Sequence, residues 1–232
     1  MSDEMISILL PALDEAETIG QVISKVPRQQ LQERGYDVNV VVVDGHSKDM
    51  TCEIAQSMGA KLLKQRGRGK GNALKTAFEN FDGQYLFMLD ADDTYDPTEI
   101  LAMLPYLESR RYDVMMGSRL KGYMSPGAMS RINYFGNLAL TQTANVLFPN
   151  GHKVSDICTG MWGFTEEVVN ALDLESHNFE IEAEMYAKCI KSGFRVGEVN
   201  ISYDQRKTMN KLRALQDGTK IWFRLFKERF NF

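Results

Sequence analysis

The chain has few of the residues that build disulfides and protein-only metal sites. Its 232 residues include three cysteines and three histidines, with no Cys-x-x-Cys motif and no metal-ligand spacing. An odd number of scattered cysteines indicates reduced thiols, and it argues against a disulfide framework or a zinc site. No apolar run approaches the roughly 20 residues that span a bilayer, and no signal peptide is recognisable. These absences favour a globular protein in a cytosolic setting.

Hydrophobic residues make up 44% of the chain and charged residues 25%, which is typical of a folded protein, and the length favours one large domain. The net charge of −4 is unevenly distributed. The stretch from Arg206 to Phe232 contains eight lysines and arginines against two acidic residues. A basic end of this kind points to a polyanionic or membrane-surface partner. Because no nucleic-acid-binding motif accompanies it, we expect no nucleic acid partner.

Two aspartates follow a buried apolar strand in the middle of the chain. Residues 85–89 are an aromatic-rich apolar run that predicts a strand, and Asp90 and Asp92 come directly after it. In an open α/β sheet the carboxyl ends of the strands are where ligands bind. Two aspartates one residue apart can share a hard divalent cation there. The alternative is an acidic turn and helix cap, an interpretation that we accept for Asp96.

Acidic residues also follow two earlier predicted strands. Residues 5–10 form the first, and residues 12–19 are then predicted to open a helix with acidic residues in its first turn. The β-branched run 38–43 is typical of a strand buried on both faces, and it ends at Asp44. Strands that alternate with helices indicate a parallel sheet with helices on both faces. We therefore expect the acidic ends to meet at one edge, as a nucleotide site. Further helices are predicted over 51–58, 97–107, 129–148 and 179–192, and further strands over 60–63, 113–117 and 196–202.

A glycine-rich basic stretch, residues 66–73, leads into a helix that runs through Phe78. Its glycines would let backbone N–H groups approach a phosphate, and Lys70 would add positive charge. The stretch has neither the P-loop spacing nor the Gly-x-Gly-x-x-Gly spacing. Taken alone, the stretch therefore favours a flexible basic turn over a phosphate site.

Taken in order, these segments resemble the family 2 inverting glycosyltransferases and, within them, the dolichyl-phosphate mannose synthase-like branch. The resemblance covers nearly the whole chain. Each matching segment is weakly specific, but the ordered set is strong. The matching segments are 11–15, 44–51, 69–73, 90–92, 117–119, Asp156 with 159–160, Glu184, Tyr203 with Arg206, 211–212 and 217–218.

The resemblance implies a GT-A fold, which is a Rossmann-like, mostly parallel α/β sheet flanked by helices, here with a C-terminal helical segment. Residues 1–211 would form the catalytic domain and 212–232 the segment. The implied reaction is an inverting transfer of a hexose from a UDP- or GDP-sugar to dolichyl or another polyprenyl phosphate, with Mg²⁺ or Mn²⁺. Two alternatives remain. One is transfer to a saccharide or other hydroxyl, which needs a general base, and the other is non-catalytic binding of a sugar nucleotide.

The resemblance also implies roles for individual residues. Asp90 and Asp92 would hold the metal, Arg119 and Arg131 would receive the acceptor phosphate, and Arg206 would steady the phosphates. The residues implied in donor and cofactor binding are Pro11, Ala12, Leu13, Glu15, Val43, Asp44, Ser47, Lys70, Asp90, Ala91 and Asp92. Those implied in catalysis are Asp92, Arg119, Arg131, Arg206, Asp156 and Glu184, the last two as candidates for a general base. The chain departs from the family pattern at His46, in the donor-base motif, and at Thr94, where a third metal ligand is often glutamine.

Residues 212–232 mix aromatic and basic side chains at helical spacing. This mixture fits an interfacial anchor near anionic lipids. The alternative is a terminal helix that packs on the core and leaves a solvated basic face. Because a polyprenyl acceptor lies in a membrane, we expect a peripheral protein at the cytoplasmic membrane face. A membrane-embedded partner subunit is compatible with this expectation.

Overall fold

One sheet of seven strands organises the computed structural model, which describes residues 4–149, 151–208 and 214–230. Numbered by their position along the chain, the strands lie across the sheet in the order third, second, first, fourth, sixth, fifth, seventh. The sixth strand is antiparallel to both of its neighbours, and the other strand pairs are parallel. The expected mostly parallel sheet is therefore confirmed. In chain order the strands are β1 (Glu4–Ala12), β2 (Tyr36–Asp44), β3 (Lys61–Lys64), β4 (Tyr85–Met88), β5 (Val114–Ser118), β6 (Trp162–Thr165) and β7 (Val196–Asn200).

Helices cover both faces of the sheet and enclose two apolar cores. In β1 the buried side chains of Ile8 and Leu10 belong to one core, and Leu9 between them belongs to the other. This alternation follows from the two-residue period of a strand, and it explains why β1 and β2 are apolar almost throughout. The helices are α1 (Ile19–Lys25), α2 (Arg28–Glu33), α3 (Thr51–Ser57), α4 (Lys70–Glu79), α5 (Ile100–Glu108), α6 (Arg131–Leu147), α7 (Glu166–Ala171), α8 (Ile181–Lys191) and α9 (Ala214–Phe230).

The predicted helix start between residues 12 and 19 is wrong. Strand β1 continues to Ala12, a turn follows, and α1 begins only at Ile19. Side chains from the segment after β2 bind the backbone of this turn. Ser47 Oγ accepts the N–H of Asp14, and Thr51 Oγ1 accepts the N–H of Glu15. Asp14 itself has a φ of 49°, in the left-handed region, which does not fit a right-handed helical turn. The acidic residues here therefore join two loops and do not complement a helix dipole.

The C-terminal helix α9 packs against α6 and α8. Its inner face places Ile221 and Leu225 in the apolar core that also contains Leu9. This packing was expected if residues 212–232 form a terminal helix on the core. Its outer face, however, exposes Trp222, Phe223 and Phe230, with exposed fractions of 41%, 57% and 59%. No helix within the described residues is long and apolar enough to cross a membrane. The predicted boundary at 211/212 and the matching pair Lys211-Leu212 lie outside the described residues.

Candidate active site

Acidic and basic side chains meet at the carboxyl edge of the sheet. The parallel strands β1, β2 and β4 end there, and the loops after them carry Glu15, Asp90 and Asp92. The segment after β7 brings Arg206 across the same edge, where its Nη2 lies 2.7 Å from Glu15 Oε1 and its Nη1 lies 3.0 Å from Asp92 Oδ2. Residues that are distant in sequence are thus joined in one charged cluster.

Asp90 is paired with a lysine from the glycine-rich stretch. Lys70 Nζ lies 2.5 Å from Asp90 Oδ1 and 2.7 Å from Glu182 Oε1. Burial alone would raise the pKa of Asp90, but the charge of Lys70 and its hydrogen bond hold this pKa below the ordinary value. On its other side Asp90 faces Gly160, where an added Cβ would lie 2.4 Å from Asp90 Oδ2. Only a residue without a side chain leaves this carboxylate in place.

Asp92 retains electrostatic strain even with Arg206 beside it. Burial raises the pKa of Asp92, and the neighbouring charge of Asp90 raises it further. A divalent cation between the two carboxylates would relieve this repulsion, so the pair fits the metal that the sequence implies. Within the described residues no group of three or more His, Cys, Asp or Glu side chains is arranged to hold a metal ion. Two carboxylates fill only part of the coordination of a divalent cation and would leave positions for a diphosphate.

Two cavities adjoin this cluster and share part of their walls. The first has a volume of about 440 Å³ and lies over the loops after β1 and β2. The second has a volume of about 820 Å³ and extends between α6 and α9. A molecule in one cavity would meet a molecule in the other beside the two aspartates. The residues that line both cavities are Lys70, Asp90, Asp92, Phe179 and Arg206.

Most of the residues implied in donor binding line the first cavity, namely Pro11, Ala12, Leu13, Glu15, Lys70, Asp90, Ala91 and Asp92. Asp44 and Ser47 lie behind this wall. The Asp44 carboxylate accepts the backbone N–H groups of His46 and Ser47, and it thereby shapes the turn that puts Gly45 and His46 into the cavity. Although burial opposes it, hydrogen bonding from Ser47 lowers the pKa of Asp44. Val43 is buried in β2.

The glycine-rich stretch packs against the segment before α8. An added Cβ at Gly71 would lie 2.4 Å from the carbonyl oxygen of Ser176. The N–H of Asn72 donates to the carbonyl oxygens of Gly69 and His177. The glycine at position 71 therefore allows two backbone segments to touch, and Lys70 is the side chain that this contact directs into the site.

Arg119 reaches the second cavity and is paired with Asp156. Both residues are buried, and the guanidinium also lies over the ring of Tyr203, 5.2 Å from its centre. Asp156 thus orients Arg119. Arg131 is exposed at the start of α6, and it is not among the residues that line these two cavities.

Glu184 faces away from both cavities. Its two oxygens accept the backbone N–H groups of Glu175 and Ser176, and Oε1 also pairs with Lys188 and Arg224. These contacts give Glu184 a structural role, because they attach the segment before α8 and the helix α9 to α8. Glu182, two positions earlier, lines the second cavity and pairs with Lys70. Residues two apart on a helix point in nearly opposite directions, so the choice between them needed the position of α8.

Comparisons with known proteins identify the family of the chain. The family profile for glycosyl transferase family 2 matches residues 7–172. Glycosyltransferase AglJ of Haloferax volcanii is 36% identical over 227 residues, which are 97% of this chain and 72% of the relative. A dolichyl-phosphate hexose transferase of the same organism is 32% identical over 217 residues, 93% of this chain and 90% of the relative.

A solved structure shares the fold. Glucosyl-3-phosphoglycerate synthase from Mycobacterium tuberculosis, in complex with Mn²⁺, UDP and glucosyl-3-phosphoglycerate, has a TM-score of 0.73 and 21% sequence identity. The match covers 98% of this chain and 79% of that one. The expected GT-A fold is therefore confirmed. With the family profile and the two relatives, it establishes that the chain belongs to glycosyl transferase family 2 and is a glycosyltransferase.

Proposed function

We propose that the protein transfers a hexose from a UDP- or GDP-sugar to dolichyl or another polyprenyl phosphate, with inversion at the anomeric carbon. The observation that carries this proposal is the wall shared by the two cavities. A cavity over the strand ends and a second cavity between two helices, each with apolar side chains in its lining and charged groups at the shared wall, meet at Asp90 and Asp92. A nucleotide-sugar in the first cavity and a lipid phosphate in the second would each direct its phosphates to this charged wall, and ligand pockets commonly combine apolar walls with a few polar groups in this way.

The donor would lie in the first cavity, with its diphosphate toward the aspartates. In GT-A-like sheets nucleotides bind beyond the carboxyl ends of the strands, where Leu13, Glu15 and His46 line this cavity. The Mycobacterium tuberculosis enzyme holds UDP and Mn²⁺ in the same fold. Lys70 and Arg206, at the shared wall, would bind the diphosphate oxygens.

Asp90 and Asp92 would hold Mg²⁺ or Mn²⁺. When bound, the cation would offset the negative charge that builds up on the departing nucleoside diphosphate, an effect worth several kcal/mol in metal-dependent transfers. The protein contributes the position of the two carboxylates. Thr94 Oγ1 donates to Asp92 Oδ1 at 2.6 Å, and Gly160 leaves room for Asp90.

The acceptor would lie in the second cavity, with its isoprenoid chain between α6 and α9 and its phosphate near Arg119. The apolar side chains that line this cavity are Met129, Ile132, Leu140, Leu215, Ile221 and Trp222. A guanidinium binds phosphate oxygens well, and Asp156 would keep that of Arg119 in position. A phosphate monoester is largely ionised near neutral pH because its second pKa is about 6. The acceptor therefore needs positioning more than it needs a general base.

The outer face of α9 would rest on the membrane that holds the acceptor. The rings of Trp222, Phe226 and Phe230 follow one another along this face, with centroids 4.1 and 6.0 Å apart. Lys220 and Lys227 beside them are about half exposed. Aromatic rings flanked by cations are typical of helices that lie at an anionic lipid surface. Residues 1–211 would then be the catalytic domain and residues 212–232 its membrane-facing segment.

The test uses the purified chain with UDP- and GDP-hexoses, Mn²⁺ or Mg²⁺, and dolichyl or undecaprenyl monophosphate in detergent. We expect release of nucleoside diphosphate to depend on both the cation and the lipid phosphate, and the sugar to be recovered on the lipid. Nucleotide release that is indifferent to the lipid phosphate but stimulated by a saccharide would overturn the acceptor assignment. It would favour transfer to a hydroxyl group.

A further inference from the structure

Lys70 binds two carboxylates at once, and one of them has no role in the function described above. Its ammonium lies 2.5 Å from Asp90 and 2.7 Å from Glu182, and the lysine side chain is 11% exposed. Glu182 itself is 5% exposed. A buried ammonium needs an anionic partner, because leaving a charge unpaired away from water is strongly unfavourable. In this arrangement Lys70 has two such partners.

The backbone around Lys70 and Glu182 is held in one arrangement. Gly71 touches the carbonyl of Ser176, and the N–H of Asn72 donates to the carbonyl of His177, so the start of α4 is attached to the segment before α8. Glu182 lies in the first turn of α8, directly after this segment. The lysine and the glutamate therefore remain within reach of each other whatever happens at Asp90.

The position of Lys70 sets it in competition with a metal ion. Asp90 Oδ1, the oxygen nearest to Lys70, belongs to the carboxylate that would hold the cation of the proposed function. A cation that binds Asp90 must displace the ammonium from it or share the carboxylate with it. Glu182 Oε1 already lies 2.7 Å from the ammonium and would remain its partner with no change in the backbone. How readily a metal ion displaces the Lys70 ammonium from Asp90 then depends on Glu182.

We propose that Glu182 is a positioning residue that retains Lys70 beside the donor diphosphate while a divalent cation occupies Asp90. This inference rests on the proposed function for the cation itself. It adds that Glu182, which need not touch the ion, strengthens cation binding through Lys70. Without Glu182 the ammonium has Asp90 as its nearest anion and resists displacement. Without Lys70 the resistance disappears, and with it the effect of Glu182.

The test measures Mn²⁺ binding directly, by electron paramagnetic resonance or calorimetry, with and without UDP or GDP and with no sugar transfer required. We expect E182Q to weaken Mn²⁺ binding roughly tenfold, the size of a typical coupling between charged neighbours. We expect K70M to bind Mn²⁺ at least as tightly as the parent protein, and K70M/E182Q to bind it as K70M does. E79Q is a matched control, because Glu79 lies on the same helix α4 and pairs with the exposed Arg66.

Three outcomes would overturn the inference, and they are distinguishable. If E182Q binds Mn²⁺ like the parent protein, Glu182 has no influence and the inference fails while the proposed function stands. If E182Q weakens binding equally in the K70M background, Glu182 acts on the ion itself and not through Lys70. If the parent protein binds no Mn²⁺ even with a nucleoside diphosphate, the proposed cation site fails together with the inference. Thermal unfolding of each variant shows that the compared proteins are folded.

Discussion

Arg119 and Asp156 form a two-point ion pair beside the second cavity. Arg119 Nε donates to Oδ2 at 2.7 Å, Nη2 donates to Oδ1 at 2.8 Å, and the backbone N–H of Arg119 donates to the same carboxylate. Arg119 follows β5 and Asp156 precedes β6, so the pair joins two loops that border the second cavity. Its geometry matters more than its charge, because a guanidinium and a carboxylate match at two points and an ammonium matches at one.

Arg119→Lys should therefore impair acceptor binding. We expect the KM for polyprenyl phosphate to rise roughly tenfold, equivalent to about 1.4 kcal/mol, while the KM for the nucleotide-sugar stays within twofold. The measurement is steady-state transfer with each substrate varied in turn. Arg195→Lys is the matched control, since Arg195 forms the same two-point pair with Asp113 away from both cavities. A change confined to the donor KM would contradict the assignment of Arg119 to the acceptor.

Asp92→Asn should separate activity from stability. The pKa of Asp92 is raised by burial and by the charge of Asp90, so folding disfavours its charged form. We expect the variant to keep or raise its Tm, because Arg206 retains Glu15, and to lose transfer at least roughly 100-fold. Thermal unfolding and sugar transfer to the lipid give the two measurements.

The neighbouring variant Asp93→Asn is the control for this pair of effects. Hydrogen bonds from Lys207 and Lys25 outweigh burial and lower the pKa of Asp93, so its charge stabilises the fold. We expect D93N to lower the Tm and to reduce transfer less than D92N does. The interpretation of the cluster would be wrong if D92N lowered the Tm more than D93N did.

Glu184→Gln should destabilise the protein without removing activity at temperatures where it is folded. Glu184 is buried, accepts two backbone N–H groups and pairs with Lys188 and Arg224, so its loss should cost about 3 kcal/mol. Hydrogen bonds from Lys188 and Ser176 outweigh burial and lower the pKa of Glu184 from its ordinary value of 4.5.

The pH dependence of this effect has a defined sign. A lowered pKa stabilises the folded state above the ordinary value, and this stabilisation is lost as the pH falls through the lower, folded-state value. Denaturant unfolding at several pH values should therefore show the largest gap between parent and E184Q near neutral pH, narrowing below pH 4.5. A folded E184Q protein without transfer activity would return Glu184 to the candidates for a catalytic group.

The triple variant W222S/F223S/F230S should lose binding to lipid vesicles. These side chains are 41%, 57% and 59% exposed on α9, so their removal should leave the Tm nearly unchanged. We expect binding to anionic vesicles, measured by co-sedimentation, to fall roughly tenfold or more. M50S/M58S is the control, since Met50 and Met58 flank α3 and are also exposed, at 60% and 39%. Equal losses in the two variants, or vesicle binding unchanged in the triple variant, would exclude α9 as the membrane-facing surface.

The strands and their acidic ends were predictable because local pattern encodes them. The run before Asp90 and the β-branched run before Asp44 are strands in the structure, and both lie in parallel pairs. The insertion of β6 between β4 and β5 was not predictable in this way. The pairing of strands depends on contacts between distant segments, which the short run 162–165 does not reveal.

The candidate site was predictable where a residue lies at the end of a strand and not where it lies on a helix. Arg119 directly follows β5 and Asp90 lies two residues after the end of β4, so topology alone directs them to the carboxyl edge. Glu182 and Glu184 are both buried acids in the first turn of α8, and the family resemblance pointed to Glu184 and not to Glu182. Only the packing of α8 shows that Glu182 faces Lys70 and that Glu184 faces Arg224.

The contact between Glu15 and Arg206 joins residues that are 191 positions apart. When the first strands have been synthesised, Arg206, whose guanidinium pairs with the acidic residues at their ends, has therefore not yet been made. The first cavity reaches its final electrostatic form only after β7 has been synthesised and the segment after it has folded back over the sheet. Sugar transfer should thus begin late during synthesis, and a partly made chain should have little capacity to consume nucleotide-sugar.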